Sequence, residues 1–332
     1  MPETQNKAAE AITESTTTRQ WVLDYIRMIL AFYVVANHLG FPIHLPSKTM
    51  VSLVLGNIFN GPAAVIVFFI ISGYCIHLPF IRDRQLKLRQ YFIRREVRIA
   101  LPVLAVVLLA LGLNRPESIG ILWSIVCEEI YYLLYPLLLV VKRKWGWAPV
   151  WVFVLSLFVI GRLVTKNDSS GSFISGGLAT TWMIGFPSWI LGCVLAETVN
   201  LSEWFKKWTV SSALLWFLRF SVIGMAWLTS VLRFHAHMSN LDMLPVLGFL
   251  AVPWFLAEIR AKWGTKREVP AFFNMSFSLY LVHQLCVQIL FILFPTTQGM
   301  VWVQYLGVFA LTAMFYYLVE APCHQLARRL GK

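Results

Sequence analysis

The sequence predicts an all-α polytopic membrane protein with about ten transmembrane helices and with both termini in the cytoplasm. Its 332 residues are 58% hydrophobic and only 13% charged, about half the charged share of a typical soluble domain. Apolar runs of about 20 residues, the length that a bilayer requires, recur along the chain. These totals exclude an ordinary soluble globular protein, whose core could not bury so much apolar surface.

The apolar runs divide the chain into a polar N-terminal segment and ten spans. We predict that residues 1–20, which are polar and mixed in charge, form a disordered cytoplasmic tail, and that residues 21–332 form one transmembrane domain. The predicted spans cover approximately 21–40, 60–80, 97–113, 121–141, 147–165, 181–199, 209–231, 242–258, 272–294 and 300–320.

The net charge of +12 comes from cations in the short segments that connect the spans. Lys and Arg follow the even-numbered spans, at 82–98, 142–144, 206–207, 260–267 and 328–332. This is the positive-inside pattern of membrane proteins, and it places these segments in the cytoplasm. The same pattern argues against nucleic acid as a partner.

The first span combines an apolar composition with four polar side chains, Asp24, Arg27, Asn37 and His38. An ionisable group at the centre of a bilayer costs roughly 2.5–3.5 kcal/mol, so it marks a candidate functional site. Arg27 and His38 are eleven residues apart, about 16 Å along one helix face. Two alternatives stay open: Arg27 binds a ligand or pairs with Asp24, and His38 acts chemically or is a polar residue at the lipid headgroups.

Span 4 carries adjacent carboxylates, Glu128 and Glu129, which the predicted topology places in the outer half of the membrane with His38. Their side chains point about 100° apart on a helix, so at most one faces a given cavity. Ser124, Glu128 and Tyr131 share one stripe of this helix. A structural ion pair of either glutamate with Arg27 or Arg162 is the alternative to a functional role.

Five motifs occur in a fixed order along the chain: D-x-x-R-x10-H, F-F-x-x-S-G-Y, R-R-x-x-R-I-x-x-P, W-S-x-x-x-E-E-x-x-Y-x-x-x-P and S-F-S-x-Y-L-x-H. They occupy residues 24–38, 68–74, 94–102, 123–136 and 276–283. With these motifs the chain resembles the acyltransferase 3 family of integral-membrane O-acyltransferases, in the standalone form without an SGNH domain. Residues 145–270 match this family only as apolar helices, and Phe277 stands where the family often has Tyr.

The resemblance implies a reaction: an acyl group, most often acetyl, moves from cytoplasmic acyl-CoA to a hydroxyl group of an extracytoplasmic carbohydrate. The acceptor would be a surface polysaccharide, a glycolipid or a lipid-linked sugar. Acyl-CoA, most often acetyl-CoA, is then the co-substrate, and no metal is expected. The implied partners are membrane lipid and the carbohydrate or glycolipid acceptor, and the implied location is the bacterial inner (plasma) membrane.

The resemblance also implies roles for the polar residues. His38 is the base or a transient acyl carrier, supported by Glu128, with Glu129 as the other catalytic candidate. Arg94, Arg95 and Arg98 would bind the phosphate groups of acyl-CoA, although positive-inside segments contain arginine for topology alone. Arg27 would bind the tail of the acyl donor or pair with Asp24. The predicted cavity-lining residues are Ser124, Tyr131, Ser276, Tyr280 and His283, of which His283 equally fits a helix–helix hydrogen bond.

Two other classes of function are alternatives to an enzyme. A transporter or flippase of a sugar-linked lipid would use membrane His, Arg and Glu as a proton relay. Such a protein typically has internal repeats or helices broken by Gly and Pro, and neither is evident here. A structural subunit of a synthesis complex would tolerate replacement of the glutamates.

Overall fold

The computed structural model describes residues 2–40, 50–81, 84–165, 172–174, 177–261, 271–297 and 299–331, with side chains from residue 21 onward except at 52, 53, 271 and 297. Its helices are α1 (Pro2–Leu39), α2 (Met50–Gly56), α3 (Gly61–His77), α4 (Leu88–Gly112), α5 (Trp123–Trp145), α6 (Trp147–Val164), α7 (Leu178–Leu201), α8 (Glu203–Lys207), α9 (Ser212–Ala236), α10 (Asn240–Leu250), α11 (Val252–Arg260), α12 (Ser276–Leu293), α13 (Val301–Phe315) and α14 (Ala321–Leu330).

Nine stretches of the described chain are long and apolar enough to cross a membrane. They are Trp21–Leu39, Gly61–Phe80, Pro116–Trp145, Trp147–Val164, Leu178–Leu201, Ser212–Ala236, Asn240–Arg260, Phe272–Leu293 and Val301–Leu330. These stretches follow the order of the predicted spans, and the predicted fold class, an all-α polytopic membrane protein, is confirmed. The remaining predicted span, 97–113, falls within α4, whose first turns are rich in arginine.

Contacts between helix ends define two ends of the bundle, which we name by Arg27 and His38. At the Arg27 end, Arg143 donates to the carbonyl oxygen of Arg84 at 2.6 Å, and Arg260 donates to that of Trp208 at 2.6 Å. The segments that meet here are those that the positive-inside pattern assigns to the cytoplasm. Parts of them, residues 82–83, 262–270 and 332, lie outside the described residues, and the cytoplasmic location of both termini stays a prediction.

At the opposite, His38 end, the side-chain oxygen of Asn37 accepts from the backbone N–H of Gly61 at 3.2 Å. Arg162 at the end of α6 binds both carboxylate oxygens of Asp242 at the start of α10, at 2.5 and 3.0 Å. The helix α4 connects the two ends, because it begins beside the C-terminal helix and its 25 residues extend about 37 Å. It therefore takes the place of the third predicted span.

The centre of the bundle is the pair α3 and α7, most of whose residues are buried, whereas α6 and α9 lie at the periphery. A Cβ atom on Gly73 would lie 1.9 Å from the carbonyl oxygen of Trp189, and one on Gly192 would lie 2.0 Å from that of Ile70. Only glycine allows the two backbones to approach so closely.

Local departures from regular helix affect the depth of the polar residues. The α-helical part of span 4 begins only at Trp123, after a 3₁₀ segment over Pro116–Leu122. The predicted span 242–258 is divided between α10 and α11, where Pro253 supplies no backbone N–H. Between α13 and α14, residues Tyr316–Glu320 form a π-helical turn, a feature often found at functional sites.

The helix α1 extends to Pro2, so its backbone is helical over the segment for which the sequence predicts a disordered tail. Only its part from Trp21 onward is apolar enough to span a membrane. The assignment of residues 1–20 to a cytoplasmic tail stays a prediction, since their side chains are not described.

Replacing Gly73 or Gly192 with Ala should separate α3 from α7, because the added Cβ meets backbone rather than a movable side chain. Overpacking of this kind costs about 1–3 kcal/mol, so we expect the melting temperature of the detergent-purified protein to fall by several degrees. Gly224→Ala in α9 is the matched control, since no atom from another helix of the described chain lies within 4 Å of its Cβ position. Equal melting temperatures for all three variants would contradict this packing.

Candidate functional site

The first polar cluster lies where the end of α1 meets α12. His38 is exposed, and its Nδ1 lies 2.9 Å from the side-chain nitrogen of Gln284. The ring of His283 is 5.2 Å from that of His38, measured between ring centroids. Two imidazoles and an amide therefore form one group at this end of the bundle.

His283 is completely buried, and its Nδ1–H donates to the carbonyl oxygen of Tyr280 at 2.8 Å. Its Nε2 has no hydrogen-bond partner within the described chain. Because the backbone contact fixes the proton on Nδ1, Nε2 is a buried acceptor beside His38. His283 thus lies beside His38, and its hydrogen bond is made within α12 rather than to another helix.

Tyr280 connects this cluster to α5. Its hydroxyl donates to the carbonyl oxygen of Ile121 at 3.2 Å and lies 2.5 Å from Oγ of Ser124. Ser276 begins α12 one turn further from His38 and is buried. Of the predicted cavity-lining residues, the structure therefore gathers Ser124, Tyr280 and His283 near His38.

Tyr131, which the sequence predicts as a cavity-lining residue, does not join this group. Its hydroxyl donates to the carbonyl oxygen of Trp182 at 2.7 Å, and its ring stacks on Phe186 at 4.8 Å. Tyr131 lies two turns beyond Ser124 on α5, where the neighbouring helix is α7 rather than α12. Tyr131 is thus a packing residue of the core.

The second polar cluster surrounds Arg27. One guanidinium nitrogen lies 3.2 Å from Oδ1 of Asp24, and another lies 3.2 Å from Sγ of Cys75 on α3. The predicted pairing of Arg27 with Asp24 is therefore present. The contact with Cys75 was missed, because the sequence does not show which turn of α3 faces Arg27.

Glu128 belongs to this second cluster. Its carboxylate accepts from the hydroxyl of Tyr132 at 3.2 Å, and that hydroxyl lies 2.8 Å from Oγ of Ser72. Arg27 and Arg95 are the cations that interact electrostatically with the carboxylate, and the guanidinium of Arg95 lies 5.7 Å from the centre of the Tyr132 ring. Of the predicted ion pairs, the structure thus favours the one with Arg27.

The structure does not bring Glu128 to His38. Ser72, which is level with Glu128, lies eleven residues into α3 from Gly61, about 16 Å along the helix axis, whereas Gly61 contacts the neighbour of His38. The sequence predicts both groups at the same depth because it starts span 4 at residue 121, whereas the apolar stretch begins at Pro116. Glu128 thus lies twelve residues from the start of that stretch instead of seven. The contact to His38 Nδ1 comes from Gln284 instead.

Glu129 faces a different helix, as its spacing predicts. Its carboxyl group forms a hydrogen bond with that of Glu96 on α4, and both Glu96 and Glu128 repel its negative charge. One carboxylate oxygen of Glu129 is buried without a partner within the described chain. Of the two glutamates, Glu128 is the one that faces the cations of the Arg27 cluster.

The four arginines predicted to bind acyl-CoA separate into two groups. Arg98 lies close enough to Arg27 and to Arg95 to be repelled by both charges. Arg94 instead donates from two nitrogens, at 3.0 and 2.6 Å, to the carbonyl oxygen of Gly331. The fork of Arg94 thus holds the end of α14 against α4.

The π-helical turn brings a carboxylate to the Arg27 end that the sequence analysis did not single out as a site residue. Glu320 is 1% exposed, and it accepts from the backbone N–H and the hydroxyl of Ser278. His324 lies 3.4 Å from Glu320 and 3.1 Å from Nε of Arg98. The spacing of Glu320 and His324, four residues apart, was the available signal.

No group of three or more His, Cys, Asp and Glu side chains that could hold a metal ion occurs in the part of the chain that the structure describes.

Comparison with known proteins identifies two similarities. A family model described as "Acyltransferase domain" matches residues 21–320. Nodulation protein 10 of Rhizobium leguminosarum bv. viciae is 26% identical over 363 aligned positions, which cover 93% of this chain and 95% of that protein. No solved structure matches the chain. The matched region contains His38, Arg27 and their partners up to Glu320.

The adjacent glutamates allow a matched test of the second cluster. Glu128→Gln removes the anion that compensates Arg27 and Arg95, so we expect the free energy of unfolding to fall by about 2 kcal/mol, as for a lost interaction with a charged group. Glu129→Gln relieves the repulsion from Glu96 and should leave stability unchanged or raise it. Thermal unfolding of both variants in one detergent provides the measurement. A larger loss for Glu129→Gln would reverse the orientation described for α5.

Proposed function

Because the chain belongs to the acyltransferase family, we propose that it is a membrane O-acyltransferase that uses cytoplasmic acyl-CoA and an extracytoplasmic carbohydrate. The acyl group is acetyl in the first instance. The acceptor is a hydroxyl group of a surface polysaccharide, a glycolipid or a lipid-linked sugar. The proposed location is a bacterial inner membrane, with the Arg27 end toward the cytoplasm.

One observation carries this proposal: the single helix α1 contributes Arg27 to a cluster of cations and His38 to a pair of imidazoles. The two residues are separated by eleven positions, about 16 Å along the helix. A donor whose phosphates bind at the first cluster can extend its thioester toward the second. The arm of CoA between its phosphates and its sulfur is long and flexible enough for that separation.

The donor end is suited to a polyanion. Arg98 is repelled by both Arg27 and Arg95, so a phosphate group placed among the three relieves that repulsion and gains charge-assisted hydrogen bonds. The guanidinium fork suits phosphate geometry better than a lysine ammonium does. Arg94 is not assigned to the donor, because its fork binds Gly331.

At the other end, Gln284 selects the tautomer of His38. With the amide nitrogen facing Nδ1, the imidazole proton is on Nε2. Rotation of the amide by 180° presents its oxygen, so that Nδ1 carries the proton and Nε2 can accept one. We therefore assign Gln284 as a positioning residue for the proposed base, in place of Glu128.

In the direct route, the carbohydrate hydroxyl gives its proton to His38 while its oxygen bonds to the thioester carbonyl carbon. The carbon–sulfur bond then breaks, the sulfur takes the proton from the imidazolium, and the ester and free CoA leave. In the second route, an imidazole nitrogen of His38 attacks the thioester and CoA leaves as the thiol. The acyl group then passes from His38 to the hydroxyl, and the imidazole regains a proton.

His38→Ala should abolish acylation while the protein remains in the membrane. We would measure the mass of surface glycans from cells that carry the wild-type chain, His38→Ala, or an empty vector, and expect an added acyl mass with the wild type only. His235→Ala, which changes an exposed histidine at the end of α9, is the control and should retain the added mass. Wild-type acylation by His38→Ala would remove His38 from the mechanism.

Arg95→Ala and Arg98→Ala should each raise the KM for acyl-CoA about tenfold, as expected for a lost hydrogen bond to a charged group. The KM for the acceptor should not change. Arg94→Ala is the matched control from the same helix, and it should lower thermal stability without changing the KM for acyl-CoA. An identical donor KM in the wild type and in both test variants would show that these arginines serve topology alone.

A further inference from the structure

A cavity of about 230 Å³ opens beside His38, on the other flank of α1. Its walls come from α1, α2, α9, α10 and the start of α3. The lining residues that matter below are Asn37, Gly40, Phe59, Arg233, Phe234 and Asn240. The volume is smaller than the usual range for drug-sized ligands, so it suits one small ring rather than an extended molecule.

The floor of this cavity is held rigidly. The amide nitrogen of Asn60 donates to the carbonyl oxygen of Ala226 and to Oγ1 of Thr229, both at 2.9 Å. Its amide oxygen accepts from the backbone N–H of Ala63 at 3.0 Å. These three bonds fix the start of α3 to α9, so the cavity is a formed site rather than a gap between mobile elements.

Asn240 is the polar group that points to a ligand. The residue is 1% exposed, and its side-chain oxygen has no hydrogen-bond partner within the described chain. A buried acceptor that lacks a partner costs about 1–3 kcal/mol. A hydroxyl group of a ligand in the cavity would donate to this oxygen and remove that cost.

We propose that this cavity is an acceptor subsite that binds one sugar ring of the carbohydrate. Hydroxyl groups of the ring donate to Asn240, while the rings of Phe59 and Phe234 offer apolar surface to the faces of the sugar. The inference rests on the proposed function and deepens it, because it names where the acceptor binds and what recognises it.

The position of the cavity determines which ring it holds. Asn37, which lines the cavity, and His38, which faces α12, are successive residues, so their side chains diverge by about 100°. The bound ring is therefore not the ring that reacts at His38. The next ring of the acceptor then lies toward His38, on the α12 side of α1. An acceptor must then contain at least two sugar residues.

The test uses the purified full chain in lipid nanodiscs, with acetyl-CoA and base-treated surface polysaccharide from the source cell, cleaved to fragments of one to four residues. Asn240→Ala should raise the acceptor KM at least fivefold, as expected for one lost hydrogen bond, and leave the acetyl-CoA KM unchanged. Asn240→Asp keeps an acceptor oxygen and should change the acceptor KM less. Single-residue fragments should be poor acceptors of the wild type.

Two controls separate binding from a structural effect. Asn200→Ala, at the opposite end of the bundle in α7, should leave the acceptor KM unchanged. The melting temperature of Asn240→Ala should be equal to or above that of the wild type, because the change removes an unpaired buried group. An unchanged acceptor KM, a rise in both KM values, or a fall in melting temperature that accounts for the loss would overturn the subsite.

Calorimetry with the unreactive His38→Ala variant distinguishes the subsite from the reaction. Fragments of two or more residues should bind His38→Ala and should bind the double variant His38→Ala/Asn240→Ala more weakly. Fragment binding without acyl transfer by the wild type would refute the proposed function and keep the cavity as a carbohydrate site. If the wild type transfers the acyl group and the fragments bind His38→Ala and the double variant equally, the acceptor subsite is refuted and the proposed function is retained. If the fragments neither bind nor accept the acyl group, the subsite and the proposed function are both refuted.

Discussion

The ionisable side chains of α1 can lie in an apolar bundle because neighbouring helices bring partners to them. A lone charge in the bilayer costs several kcal/mol, and Arg27 offsets that cost with Asp24 on its own helix and with Cys75 on α3. A second pair of charges joins α9 to α11: Arg219 binds both carboxylate oxygens of Glu258 at 2.6 and 3.0 Å. Each such contact fixes the rotation of one helix against another, so the polar groups determine how an otherwise uniformly apolar set of helices is arranged.

The close packing of α3 on α7 supports this arrangement. Dispersion forces and small residues drive helix association in a membrane, since burial from lipid provides no hydrophobic gain. Gly73 and Gly192 bring the two backbones together, and the adjacent Ser72 then reaches Tyr132 on α5. The position of Glu128 beside the arginines thus depends on a contact between glycines that have no chemical role.

The sequence predicts the fold well because apolar length and the placement of cations are one-dimensional properties. Nine of the ten predicted spans correspond to apolar helical stretches of the described chain, and Asp24 does pair with Arg27. The depth of a residue in the membrane and the rotation of one helix against another depend on contacts between helices, so the sequence alone does not determine them. Glu128 lies deeper than predicted because the apolar stretch of span 4 begins at Pro116 rather than at residue 121. Tyr131 packs on α7 although Ser124, on the same stripe, meets α12. Gln284 was missed because a neutral amide within an apolar run gives a weaker signal than a charge.

The separation of the two clusters limits how the proposed transfer can occur. Arg27 and His38 are about 16 Å apart along α1, whereas the hydrocarbon core of a bilayer is about 30 Å thick. At most one of the two clusters can therefore lie at a membrane surface. A donor and an acceptor that approach from opposite sides of the membrane must meet inside the bundle. The acceptor has the shorter path, because His38 is exposed and the cavity beside it is open. The donor must extend its thioester from the arginines toward His38. A donor with a flexible arm can do this, whereas a rigid donor could not.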